Sequence, residues 1–226
     1  MKRMLIGFLV GTALNLAAVF PALAVPYTTA TTLEFLKNGS AIANSGIDTT
    51  TGLGTASYVY STPGSYDVRA FLDLEIDLST TGFFNEFGAT SGSAASGQSW
   101  EIGIPNYPYT LGDGSIYDHF LNGSLTSAIG NGLDQTSDDV AMAMGWIFTL
   151  GANQQATVSF TSSESVPGSG FYLIQTDDLT GNQVFLSGNL GIRDIGGGNN
   201  LPEPSTVALL GLALAGMLTY RGRKAK

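Results

Sequence analysis

Asp73, Glu75 and Asp77 stand at alternate positions in the run Phe71-Leu72-Asp73-Leu74-Glu75-Ile76-Asp77-Leu78. Side chains two apart on a strand share a face and lie about 6–7 Å from one another. The three carboxylates therefore form a row of hard oxygen donors, which suits Ca²⁺ if a neighbouring loop closes the site. The plainer reading is a water-facing strand surface whose charges discourage pairing with other chains. The expected state is that solvated face, with no cofactor and with Ca²⁺ at Asp73, Glu75 and Asp77 as the chemical alternative. Asp134, Asp138 and Asp139, and separately Asp177 and Asp178, fall in turn-like segments and read as turn formers, because Asp bonds to its own nearby backbone.

A second group is aromatic. Trp100, Tyr107, Tyr109 and Tyr117 cluster along the chain, and exposed rings of this kind stack on sugars, although alternating aromatics also build ordinary sheet cores. His119 is the only histidine, which excludes a multi-histidine zinc site and leaves any Ser-His-Asp triad a single base to use. No serine sits in a Gly-x-Ser-x-Gly elbow. A glycosidase needs two opposed carboxylates at a set separation, and no acid stands out as one of such a pair. No catalytic residue is assigned, and the chain is not expected to be an enzyme.

The elements that would position these groups are strands. The chain has 226 residues, 43% hydrophobic and only 12% charged, with 30 glycines and no cysteine. Disulfides and thiolate metal sites are excluded, and a domain of this length needs no covalent staples. Period-two alternation recurs at residues 31–37, 56–61, 66–70, 71–78, 99–104, 140–150, 155–161, 170–176 and 183–192, separated by Gly, Pro, Asn and Asp turns. The fold class is all-β: an antiparallel β-sandwich, jelly-roll-like, over residues 25–195. Residues 106–139 are polar and Gly-rich and read as a long loop with a short helix at 118–121.

Charge separates this body from the two ends. Residues 25–200 hold three bases, Lys37, Arg69 and Arg193, against seventeen acids, so phosphate backbones are repelled and nucleic acid is not a partner. Residues 1–24 begin Met1-Lys2-Arg3, continue through an apolar stretch and close at Ala22-Leu23-Ala24, the order of a signal peptide cleaved after Ala24. At the other end, residues 196–201 form a Gly/Asn linker and residues 202–226 a tail. A helix over 204–220 gains a first-turn proline and a snorkelling Arg221, bringing it close to a membrane span. Arg221, Arg223 and Lys224 then stay on the cytoplasmic side, as Lys2 and Arg3 do, and the acidic domain lies across the membrane.

Pro202-Glu203-Pro204-Ser205-Thr206, a short apolar helix with Gly211 and Gly216, and a terminal basic cluster together resemble the PEP-CTERM sorting signal of Gram-negative bacteria. The resemblance covers about 25 residues. It implies processing near the Pro-Glu-Pro tripeptide by an exosortase, a membrane-embedded Cys-dependent enzyme, and release or transfer to the cell surface. In that family the signal commonly accompanies exopolysaccharide and biofilm production. The implied partners are the secretion machinery, the exosortase, the inner membrane transiently, and exopolysaccharide. The first reading is an exported, non-enzymatic cell-surface or matrix protein. A carbohydrate-binding module is the second reading and an extracellular polysaccharide hydrolase the third.

Overall fold

The computed structural model describes residues 27–105, 114–130 and 132–196. The strands are β1 (Thr28–Lys37), β2 (Ser40–Ala41), β3 (Gly54–Tyr60), β4 (Gly64–Ile76), β5 (Glu86–Ser91), β6 (Gln98–Gly103), β7 (Ala128–Ile129), β8 (Ala141–Leu150), β9 (Gln154–Ser163), β10 (Tyr172–Asp177) and β11 (Gln183–Asp194). The helices are α1 (Leu78–Thr81) and α2 (Ile116–Asn122). One sheet runs β2-β1-β4-β8-β6-β7 and the other β3-β9-β11-β10-β5. Among the described residues every pairing is antiparallel except β6 with β7.

The expected mostly-β architecture holds, with a short helix in the long loop where one was expected. The separate strands expected at 66–70 and 71–78 are the single strand β4, which ends at Ile76. β5, absent from the sequence reading, supplies an edge of the second sheet. The expected signal segment 1–24 and the tail 202–226, with its helix 204–220, lie outside the described residues, as does the 196–201 linker apart from Gly196. No helix among the described residues is long and apolar enough to cross a membrane.

Alternation along β4 divides its side chains between two environments. Tyr66, Val68, Ala70, Leu72, Leu74 and Ile76 enter one apolar cluster that also takes Met144 and Trp146 of β8, Phe160 of β9 and Leu186 of β11. Both sheets thus bury a common core. Their approach is close at Gly188, where a Cβ would lie 2.7 Å from Met144 Sδ, so a side chain there would have to displace Met144.

The opposite face of β4 is covered as well. Ser115 caps α2 by accepting from the Asp118 N–H, and Gly123 ends the helix in the left-handed conformation at φ 73°, the usual way to close a short helix. Its Ile116, Tyr117 and Phe120 pack on Phe71 of β4 and on Ala141 and Ala143 of β8. Arg69 is buried beneath the helix end, where it bonds Asp67 at 2.9 Å and donates to the Phe120 carbonyl.

The open edges of the second sheet are occupied by loops. On β3, the Ser45 hydroxyl accepts from the Ser57 N–H at 2.7 Å and donates to the Ser57 carbonyl at 3.0 Å. On β5, Glu86 exchanges both backbone bonds with Asp138, and Gly88 N–H donates to the Leu133 carbonyl at 2.7 Å.

Leu72 is fully buried in the shared core. Leu72→Ala is expected to cost about 3 kcal/mol through lost burial plus a residual cavity. Val59→Ser, at a side chain 60% exposed, should stay within about 0.5 kcal/mol of the parent. Urea unfolding of the two variants checks the contrast, and equal losses would contradict this account of the core.

Candidate functional site

Asp73 and Glu75 do not form a solvated face, since each is only 2% exposed. The sequence shows their alternation but not the chain segments that cover them. β4 is central in its sheet, flanked by β1 and β8, and Asp138-Asp139 closes over its end from the loop before β8. Asp77 leaves the row altogether. It follows the last strand residue in a left-handed conformation at φ 53°, and its Oδ2 accepts from Thr180 Oγ1 at 2.9 Å and Asn182 Nδ2 at 2.6 Å.

Asp139 takes the place expected for Asp77. One carboxylate oxygen from each of Asp73, Glu75 and Asp139 lies within 4.8 Å of the others. Register explains the meeting: β4 pairs antiparallel with β8 as far as Asp73↔Ala141, so Glu75, two residues beyond Asp73, comes opposite Asp139, two residues before Ala141, on the same face. On the other flank the β1·β4 register shifts between Ala30 and Thr32, beside Asp73, a bulge of the kind that re-aims side chains at sites.

A fourth acid backs the group. Glu86 is 1% exposed; its Oε1 accepts from the Ile76 N–H at 2.9 Å and its Oε2 from Gln175 Nε2 at 2.5 Å. Burial pushes Glu86 up to about 9, helped by the charges of Glu75 and Asp139 against the two hydrogen bonds. Burial likewise pushes Glu75 up to about 8, with Asp139 and Asp73 adding like charge. Asp139 rises to about 6 through burial and the neighbouring Asp138. Among the described residues no base compensates Glu75, Glu86 or Asp139: Arg69 is committed to Asp67 and Phe120, Lys37 lies over the Tyr60 and Tyr66 rings, and Arg193 bonds Gln155.

The other sequence candidates are dispersed. Tyr117 is buried against Phe71 and donates to Glu34 Oε1 at 3.0 Å. Trp100 packs on Phe171 at the inner core, with ring centroids 5.4 Å apart. The two rings sit on opposite faces of the first sheet and do not form one sugar-stacking platform, because consecutive elements place them on different sides; Tyr107 and Tyr109 lie outside the described residues. His119 is a structural partner, its Nδ1 2.8 Å from Oε1 of buried Glu101. Asp177 closes a turn by accepting from the Leu179 and Thr180 N–H groups, as its residue type predicts. Asp134 and Asp178, far apart in sequence, line one small exposed cleft.

Beyond the domain, the tail combines Pro202-Glu203-Pro204, an apolar run and Arg221, Arg223 and Lys224. Residues 200–224 match the PEP-CTERM protein-sorting motif. The motif implies an exosortase substrate, exported and sorted to the cell surface. The match covers the tail and leaves the β domain outside it. No curated protein and no solved structure matches the chain.

The acid group gives the domain a distinctive pH dependence. Glu75, Glu86 and Asp139 bind protons more tightly folded than unfolded, so their stabilising contribution is complete below the unfolded value of 4.5 for the glutamates and 3.8 for the aspartate. It is lost as pH rises through about 6, 8 and 9, the sign required when folded values exceed unfolded ones. In EDTA, the unfolding free energy from urea titration should fall between about pH 5 and about pH 9, and Glu86→Gln should flatten the upper part. A profile that climbs across that range contradicts the assignment.

Proposed function

We propose that the chain is a non-enzymatic protein of the cell surface or extracellular matrix, associated with exopolysaccharide and delivered by way of a membrane-anchored precursor. The observation that carries the reading is the sorting motif at residues 200–224. Its physical logic supports a cut near Pro202-Glu203-Pro204: two prolines around Glu203 disfavour helix and keep the backbone extended. Arg221, Arg223 and Lys224 would hold the apolar run 204–220 in the inner membrane until that cut, and cleavage after Ala24, with Ala22 completing the small-residue site, would free the other end. The fold that accompanies this reading is an antiparallel, jelly-roll-like sandwich, supported by the one apolar cluster that both sheets share.

An acidic body suits this destination. With three bases against seventeen acids over residues 25–200, it is repelled by anionic lipid and attracts cations. Glycan binding is the second reading, favoured by a cleft of about 280 Å³ on the second sheet lined by Ser159, Thr161, Ser169, Ser187, Asn189 and Phe171. Hydroxyl and amide groups beside an aromatic ring are the usual furniture of a small-ligand site. This cleft, rather than the Trp100 and Tyr117 pair, is where a sugar would sit.

Fractionation of cells with and without the exosortase tests the delivery. In its presence the domain should appear outside the inner membrane with a mass lowered by loss of the tail. In its absence, or with Pro202-Glu203-Pro204 replaced by alanines, the longer precursor should remain with the inner membrane. An unchanged mass and location in all three strains would overturn the reading.

A further inference from the structure

We propose that Asp73, Glu75 and Asp139 form a built site for a divalent cation, with Ca²⁺ as the ion whose coordination chemistry fits them. The inference stands on these side chains alone and does not depend on how the chain is delivered. Three carboxylates converge with one oxygen each inside a 4.8 Å span. Oxygens bound to one Ca²⁺ at about 2.3–2.6 Å lie at most about 5 Å apart, whereas Mg²⁺, at about 2.0–2.1 Å, demands a tighter cage and a stricter octahedron. Three acids without histidine or cysteine are a hard-oxygen donor set, which disfavours zinc and copper.

Burial supplies the second and independent observation. Glu75 is 2% exposed, yet its Oε2 has no hydrogen-bond partner among the described residues, and neither does Oδ1 of half-buried Asp139. A buried carboxylate oxygen without a donor is costly. Protein folds commonly relieve this with an N–H, a hydroxyl or a base; Glu86, one shell away, shows the usual remedy with its bonds from Ile76 and Gln175. Among the described residues no base serves Glu75 or Asp139 in this way, since Lys37, Arg69 and Arg193 are engaged elsewhere. A bound cation satisfies these oxygens at once and cancels the like charges that Asp73, Glu75 and Asp139 impose on one another.

The backbone also prepares the site. Asp73 and Glu75 are fixed on a central strand, held between β1 and β8, while Asp138 is locked to Glu86 by paired backbone bonds of 2.8 and 3.0 Å. Asp139 is therefore anchored from the adjoining residue, and little ordering remains to be done when an ion arrives. Shared protons are the competing way to satisfy the same oxygens, and they make a different prediction about added Ca²⁺.

The full chain, purified in a mild detergent and stripped with EDTA, decides between them by its melting temperature near pH 7.5. Ca²⁺ at about 1 mM should raise Tm by about 5 °C or more, the size expected when the ion is present at roughly 100 times its dissociation constant. Mg²⁺ at the same concentration should raise it less. Glu75→Gln and Asp139→Asn should each lose most of the Ca²⁺ shift, while Asp77→Asn should keep it. Asp139 is partly exposed, so its variant reports on the site even if Glu75→Gln folds poorly. Absence of a Ca²⁺ shift in the parent, a larger shift with Mg²⁺, or an undiminished shift in Asp139→Asn would each overturn the proposal. A failure here leaves the fractionation result untouched, because sorting is read by location and mass.

Discussion

A strand buried on both faces must satisfy two different chemistries with one alternating sequence, and β4 sets this constraint for the whole domain. Its inner side chains are apolar and join both sheets in a single core. Its outer row runs Arg69, Phe71, Asp73, Glu75, and burying it demands a specific answer for each residue. Arg69 receives Asp67 and a helix-end carbonyl, and Phe71 receives the rings of α2. Asp73 and Glu75 receive Asp139, another acid. Burial of charge beside like charge is unfavourable unless a proton or a cation intervenes, which makes this end of the strand the place where the fold and its ionic surroundings are coupled.

Much of this architecture is legible in the sequence because strand alternation is a local signal. The run Leu72, Leu74, Ile76 against Asp73 and Glu75 identifies the strand and divides its faces correctly. Solvent exposure is not local. Whether the acidic face meets water depends on Asp138-Asp139, a chain segment that arrives dozens of residues later. Asp139 was visible only as a turn residue; the signal that could have joined it to Glu75 was the antiparallel register between the strand segments 64–76 and 141–150. β5 escaped because Glu86-Phe87-Gly88-Ala89-Thr90-Ser91 has little apolar periodicity and a central glycine, and it draws its stability from pairing with β10. The aromatic cluster misled for a related reason. Nearness in sequence says nothing about which side of a sheet a ring will occupy, and Trp100 and Tyr117 fell on opposite sides.

The tail was the easiest part to read, because its information lies in the order of its segments rather than in packing. Prolines, an apolar run and terminal bases carry their meaning without a fold. The domain gives the opposite case, in which residue types are plain and meaning comes from assembly. The two parts are separable in sequence: the tail carries the sorting motif, and the β domain lies outside it.

The loop caps on the second sheet bear on how exported copies meet one another. Proteins gathered at high density on a cell exterior meet one another repeatedly, and an unfilled strand margin invites them to zip into ribbons. Here the hydroxyl of Ser45 occupies both main-chain groups of Ser57, while the backbone around Leu133 and Asp138 blocks the far side. Neighbouring copies therefore find no free ladder at these points to extend.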